Sequence, residues 1–280
     1  MGCRVVSLNR TVAVATVLAS FLLAGCFLST RLFEQDRIWD PAWFGRYEGD
    51  GIMFVVLPDD PAKRTYLVGS FEVGATKIDS YRVALYPGWQ DTAIIGSIDI
   101  GKSNEPAVYS ILRTLGPNRF SSLWPDCSAD FAKAHNLPRQ SETCSFTSLD
   151  TLRRALRAFA DEEAARPRTE GNLQPQGLER RRDHPLSSIG VVARAGVITT
   201  SEGVHGALTL LEVPPGSPAA QAGLKRGDVV FGVGNPRPAI GEELLLRIAV
   251  EPPGTVLQLS YFDGQSKEKR QTVVTTAAAN

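Results

Sequence analysis

The stretch Gly216-Ser217-Pro218-Ala219-Ala220-Gln221-Ala222-Gly223-Leu224-Lys225-Arg226-Gly227-Asp228-Val229-Val230 decides how the C-terminal part of this chain folds. Ser217 suits the cap of a short helix, and Pro218 its first position, where a missing N–H costs nothing. Gly223 supplies the left-handed residue that closes such a helix. Gly227-Asp228 then turns the chain into an apolar strand, Val229–Val233. Working outward, Ala207–Val213 alternates as a core strand. Upstream of it, Ser188-Ile189-Gly190-Val191 sets a glycine between apolar residues. Downstream, Glu242–Ala249 reads as a helix ended by Pro252-Pro253-Gly254, and Thr255–Phe262 with the turn Asp263-Gly264 opens a closing hairpin.

These parts, in this order, resemble a bacterial PDZ domain of the kind appended to periplasmic serine proteases of the high-temperature-requirement family, here over residues 185–276. The resemblance implies that Ser188, Ile189, Gly190 and Val191 form a carboxylate-binding loop, in which backbone N–H groups converge on a peptide terminus. It implies that Val191–Arg194, with Val192 and Arg194 at its centre and end, is an exposed strand that a peptide extends. Gly241, Leu245 and Ile248 would line the groove and Leu244 would enter the core. Many eukaryotic members carry a histidine where Gly241 stands, so the groove is expected to accept a hydrophobic C-terminal side chain. At this helical spacing, Leu245 and Ile248 also suit plain core packing.

At the other end, Arg4 and Arg10 precede an apolar stretch, Val12 to Leu23, too short to span a bilayer comfortably. Leu23-Ala24-Gly25-Cys26 resembles the lipobox of bacterial lipoproteins. The resemblance implies a signal peptide at 1–25, removed before an acylated Cys26, and a tether at 26–39. Phe27 stands where that family places an Asp for inner-membrane retention, which implies an outer-membrane anchor facing the periplasm. The alternative is an uncleaved anchor from Thr11 to about Leu28.

Composition excludes other classes. Lysines and arginines number 30 and aspartates and glutamates 30, so no basic field marks a nucleic-acid partner. Of the four cysteines, Cys3 falls in the signal peptide and Cys26 in the lipobox. Cys127 and Cys144 remain as a disulfide pair in an oxidising compartment, closing a loop for about 3 kcal/mol. Two thiols with only His135 between them lack the ligand set of a metal site.

Residues 40–163 read as a β-rich domain. Gly51–Leu57, Thr65–Val73, Ser80–Tyr86, Thr92–Asp99, Ala107–Leu115 and Arg119–Trp124 are β-prone runs, separated by turns such as Pro58-Asp59-Asp60-Pro61 and Pro87-Gly88. Regular short strands of this kind predict a small barrel or curled sheet. Ser148 to about Ala164 predicts an amphipathic closing helix, with a capping box from Thr147 to Asp150 and a stripe of Leu149, Leu152, Leu156 and Phe159. The segment 164–184, rich in Arg, Pro and acids, is expected as a flexible linker. The whole is α+β, mainly β.

No Gly-x-Ser-x-Gly elbow, H-E-x-x-H or phosphate-cradling glycine motif occurs; His184 falls in the linker and His205 in a loop, poor places for a rigidly held base, and His135 lacks an evident partner. The expectation is therefore no catalysis and no cofactor. The expected role is a lipid-anchored periplasmic protein whose groove captures protein C-termini or extended peptides, as a scaffold or protease adaptor. The alternative is a structural part of an envelope assembly, since a β-rich domain before a PDZ domain also resembles the C component of type II secretion systems.

Overall fold

The computed structural model describes residues 27–49, 51–72, 78–102, 105–116, 118–165, 177–180, 185–234 and 238–279. The expected signal peptide, Cys26 and most of the linker lie outside the described residues.

The N-terminal unit is built on an 11-stranded sheet. Its strands are β1 (Phe27–Ser29), β2 (Gly45–Gly49), β3 (Ile52–Asp60), β4 (Thr65–Glu72), β5 (Ile78–Pro87), β6 (Thr92–Asp99), β7 (Ala107–Gly116), β8 (Arg119–Leu123), β9 (Arg139–Gln140), β10 (Thr143–Ser145) and β11 (Gly177–Arg180). From β2 to β8 each strand pairs antiparallel with the next. Strand β11 is hydrogen-bonded to β2 on one side and β8 on the other, so the sheet curls round on itself. After β8, the short helix α1 (Ala129–Ala134) precedes β9 and β10, and the 17-residue helix α2 (Leu149–Ala165) closes the unit.

Strand periodicity explains the long apolar runs, because both faces of the sheet are covered. On β7, Tyr109 and Ile111 point outward, under α2, while Ser110 and Leu112 point to the inside of the curl. On β5, Ala84 and Tyr86 lie under α2, and Tyr81, Val83 and Leu85 face inward. The helix delivers the stripe predicted for it: Leu149, Leu152, Leu156 and Phe159 are all buried. Its N-terminal cap is Ser148 in place of Thr147, with Ser148 Oγ accepting from Thr151 N at 3.4 Å. Cys127 and Cys144 are disulfide-bonded in the same core.

Three expectations need correction here. Residues 27–39 are not a free tether: Phe27 has no solvent exposure, and β1 pairs with both β7 and β10. An aromatic with this much area is worth more buried than swinging in water. Likewise Gly177–Arg180, expected as linker, fills the gap between β2 and β8. The turn at Asp59-Asp60 also starts later than expected. Strand β3 runs on to Asp60, and Asp59 Oδ2 accepts from Thr65 Oγ1 and Arg82 Nε, each at 2.7 Å, tying three strands together.

The C-terminal unit has a five-stranded antiparallel sheet in chain order: β13 (Val192–Thr200), β14 (Gly203–Glu212), β15 (Val229–Val233), β16 (Val256–Phe262) and β17 (Lys269–Thr275). A two-stranded ribbon, β12 (Ser187–Ser188) with β18 (Ala277–Ala278), carries the fold past the expected end at residue 276. Helix α3 (Pro218–Gln221) and helix α4 (Gly241–Val250) complete it. The opening stretch behaves as its residues dictate. Ser217 Oγ accepts from Ala220 N, and Gly223 and Gly227 take φ of 81° and 91°.

The two units are packed together. Leu246 and Ala249 of α4 join Val55, Leu67, Phe71 and Ile78 of the N-terminal sheet in one buried cluster. Gly69 on β4 makes room, since a Cβ there would fall 2.9 Å from Leu246 Cδ1. A freely moving C-terminal unit, as the linker suggested, does not fit this contact.

Candidate functional site

Strand β13 is the site's foundation. It stands at the end of the five-stranded sheet and pairs, among the described residues, only with β14. Its outward side chains, Val192 and Arg194, are exposed, Val192 at 50%. Its inward ones, Ala193 and Ala195, are half-buried and continue the line of Ile189 and Val191 against one apolar cluster. Small side chains here keep bulk out of the strip between this edge strand and helix α4, the candidate furrow. An extended peptide laid there would gain the main-chain hydrogen bonds that an edge strand offers.

The head of the furrow is the loop before β13. Ile189 is buried, and its carbonyl accepts from Ala219 N at 3.0 Å. Gly190 takes φ 68°, and a Cβ there would lie 2.9 Å from Ser217 Cβ. The Ser217-Pro218 helix start thus braces the loop, which is why the two motifs occur together. Gly190 N donates to Ser188 Oγ at 2.9 Å. An arriving carboxylate would have to take the place of that hydroxyl. The chain's own C-terminal strand runs alongside, with Ala279 N donating to Leu186 O at 2.8 Å.

Helix α4 forms the opposite wall and presents three faces. Leu244 and Ile248 enter the core of the C-terminal unit, at 0% and 3% exposure. Leu246 and Ala249 turn to the N-terminal sheet. Leu245, half-buried, touches both clusters and is the wall residue that remains accessible. Leu244 therefore lies as expected, and Ile248 takes the core role.

Gly241 departs from its expected place in the lining. It is buried, and a Cβ there would fall 2.3 Å from Ala207 O and 2.7 Å from Gly196 N. Its bare backbone seats the helix on β13 and β14 and closes the far end of the furrow. Val192 and Arg194 can contribute main chain only, because strand alternation turns their side chains away. Ala193 and Ala195 are the residues sequence reading passed over. The period of two running from Ile189 through Val191 was the signal for them.

The residues weighed for catalysis are dispersed. His135 Nε2 lies 2.6 Å from Glu162 Oε1, between α1 and α2. His205 Nε2 lies 3.1 Å from Thr200 Oγ1 in the β13–β14 hairpin. Ser217 is a helix cap and Ser97 sits on β6.

No protein-family model matches the chain, and a comparison with curated proteins found no match. Among solved structures, the PDZ domain of a carboxy-terminal protease from Vibrio cholerae, in complex with peptide, is 19% identical over 34% of this chain and 97% of its own, with a TM-score of 0.26. The HtrA-type protease AlgW with decapeptide is 10% identical over 90% of this chain and 93% of its own, with a TM-score of 0.31. A serine endoprotease from Yersinia pestis is 14% identical over 82% and 86%, with a TM-score of 0.29. At these scores the likeness carries no argument for this chain.

Proposed function

We propose that this chain is a non-enzymatic, lipid-anchored protein of the bacterial periplasm, whose PDZ-like C-terminal unit captures extended peptides by adding them as a strand to β13. The observation that carries this reading is the edge of β13, which among the described residues pairs only with β14, with half-buried Ala193, Ala195 and Leu245 packed on one apolar cluster and the Gly190 loop at its head. The Gly241 contact limits the furrow to the stretch from Val191 to Ala195, which suits about four or five peptide residues at ~3.3 Å per residue. Ordering so short a peptide is costly, so single-site affinity is modest and many anchored copies would raise it by avidity. The protein would serve as a scaffold, or as an adaptor that passes clients to a separate protease.

The test is a C-terminal peptide array read with the full chain, because α4 is shared between the two units. Hydrophobic free C-termini should bind, and binding should fall on amidation and in Ala193→Glu, where a charge would enter the furrow. A well-folded chain that binds no peptide would leave a structural docking role in an envelope assembly. For the anchor, incorporation of a labelled fatty acid that is lost in Cys26→Ala is expected. An acyl group on Cys26 would hold the β-rich unit directly at the membrane, since the next residue is Phe27.

A further inference from the structure

The inside of the curled N-terminal sheet holds a cavity of about 140 Å³. Aromatic side chains dominate its wall, among them Trp43, Tyr47, Phe54, Tyr66, Phe120 and Trp124. Trp43, Phe120 and Trp124 are only half-buried, which marks the side open to entry. Of the polar groups in the wall, most are engaged. Tyr47 Oη donates to Trp43 O, Tyr66 Oη accepts from Asp40 N, and Ser122 Oγ accepts from Trp124 Nε1. Ser110 is different: it is 1% exposed, lines the cavity, and its Oγ has no hydrogen-bond partner among the described residues.

A buried hydroxyl without a partner is costly, and water is a poor remedy here. An ordered water needs two to four polar partners, and the wall around Ser110 is mostly apolar and aromatic. We infer that this cavity is a binding site for a small apolar molecule of about one aromatic ring, bearing one oxygen that pairs with Ser110 Oγ. Phenols are the class that fits: the ring packs against the aromatic wall in tilted or offset contacts, and the hydroxyl completes Ser110. The site is independent of the β13 furrow and lies in the other unit.

The test titrates phenol and toluene into the full chain by calorimetry, with tryptophan fluorescence as a second readout because Trp43 and Trp124 line the site. Both should bind one per chain and raise the melting temperature. Ser110→Ala removes an unpaired hydroxyl and should fold normally. It should weaken phenol by about two- to tenfold and leave toluene unchanged. Val68→Phe, which fills the cavity, should abolish both; should it fail to fold, the Ser110→Ala comparison still decides. Absence of saturable binding by the unaltered chain would overturn the inference. So would a phenol affinity indifferent to Ser110→Ala, or long-chain alcohols that bind far more tightly than phenol, which would make the occupant an acyl chain.

Discussion

Asp228 shows what a single residue of the opening stretch does. Its side chain is buried and accepts from Lys225 N at 2.9 Å and Gly264 N at 2.8 Å, joining the turn before β15 to the hairpin after β16. Gly264 is bare because a Cβ there would lie 2.6 Å from Gly227 C. Asp228→Ala would strand two backbone N–H groups, each worth about 1–3 kcal/mol when buried without an acceptor. We expect a loss of ~2–4 kcal/mol by urea denaturation, with part of it recovered in Asp228→Asn. An unchanged midpoint would show that the turn does not depend on the carboxylate. That a turn forms at Gly227-Asp228 was legible in the sequence. That its partner is Gly264 was not, because no local pattern reports which loop comes to lie beside another. Gly241 makes the same point: the glycine was visible, but its reason is a neighbour's backbone.

At the scale of elements, α4 is the piece on which both units depend. Its 3.6-residue period was legible and placed Leu244 correctly in the core. A helix in one sheet's groove needs a single apolar face, however, and this one has a second, Leu246 with Ala249, for which the isolated C-terminal unit has no use. The complement is Gly69 on a strand far earlier in the chain, where the missing side chain admits Leu246. Leu246→Ala should cost about 2–5 kcal/mol by the cavity it opens. Calorimetry should then resolve two transitions, the units having lost their common contact. A single transition at an unchanged temperature would show that the contact is not stabilising. The strands of the N-terminal unit followed their alternation closely, but period two cannot say which face is inside and which lies under a helix when both are apolar.

At the scale of the whole molecule, the N-terminal unit stacks three apolar layers: the α2 core, the curled interior and the seam with α4. Four tyrosines report on this. Burial raises the phenol of Tyr81, with Asp79 nearby adding to it, and raises Tyr86, with Tyr109 adding to it. Burial likewise raises Tyr66 and Tyr109. In the unfolded chain these groups ionise near the usual value of about 10. Their contribution is fully present below that pH and is lost as pH rises above it, because the unfolded state then sheds protons that the folded state keeps. Phenolate absorbance should therefore lag behind that of a denatured sample and then rise together with unfolding. Smooth ionisation of all tyrosines in a folded protein would contradict the burial described.

What the sequence determined by itself were the local matters: the strands and their turns, the stripe of α2, the cap at Ser217, and the loop, strand and helix of the C-terminal unit in their order. These rest on periodicity and backbone preference, which act within a few residues. Only the tertiary structure decided that Phe27 is core, that Gly177–Arg180 is a strand, that α4 bridges two sheets, and that Ser110 faces a cavity. Each of these depends on what a distant segment leaves uncovered, and burial is a property of the assembled whole.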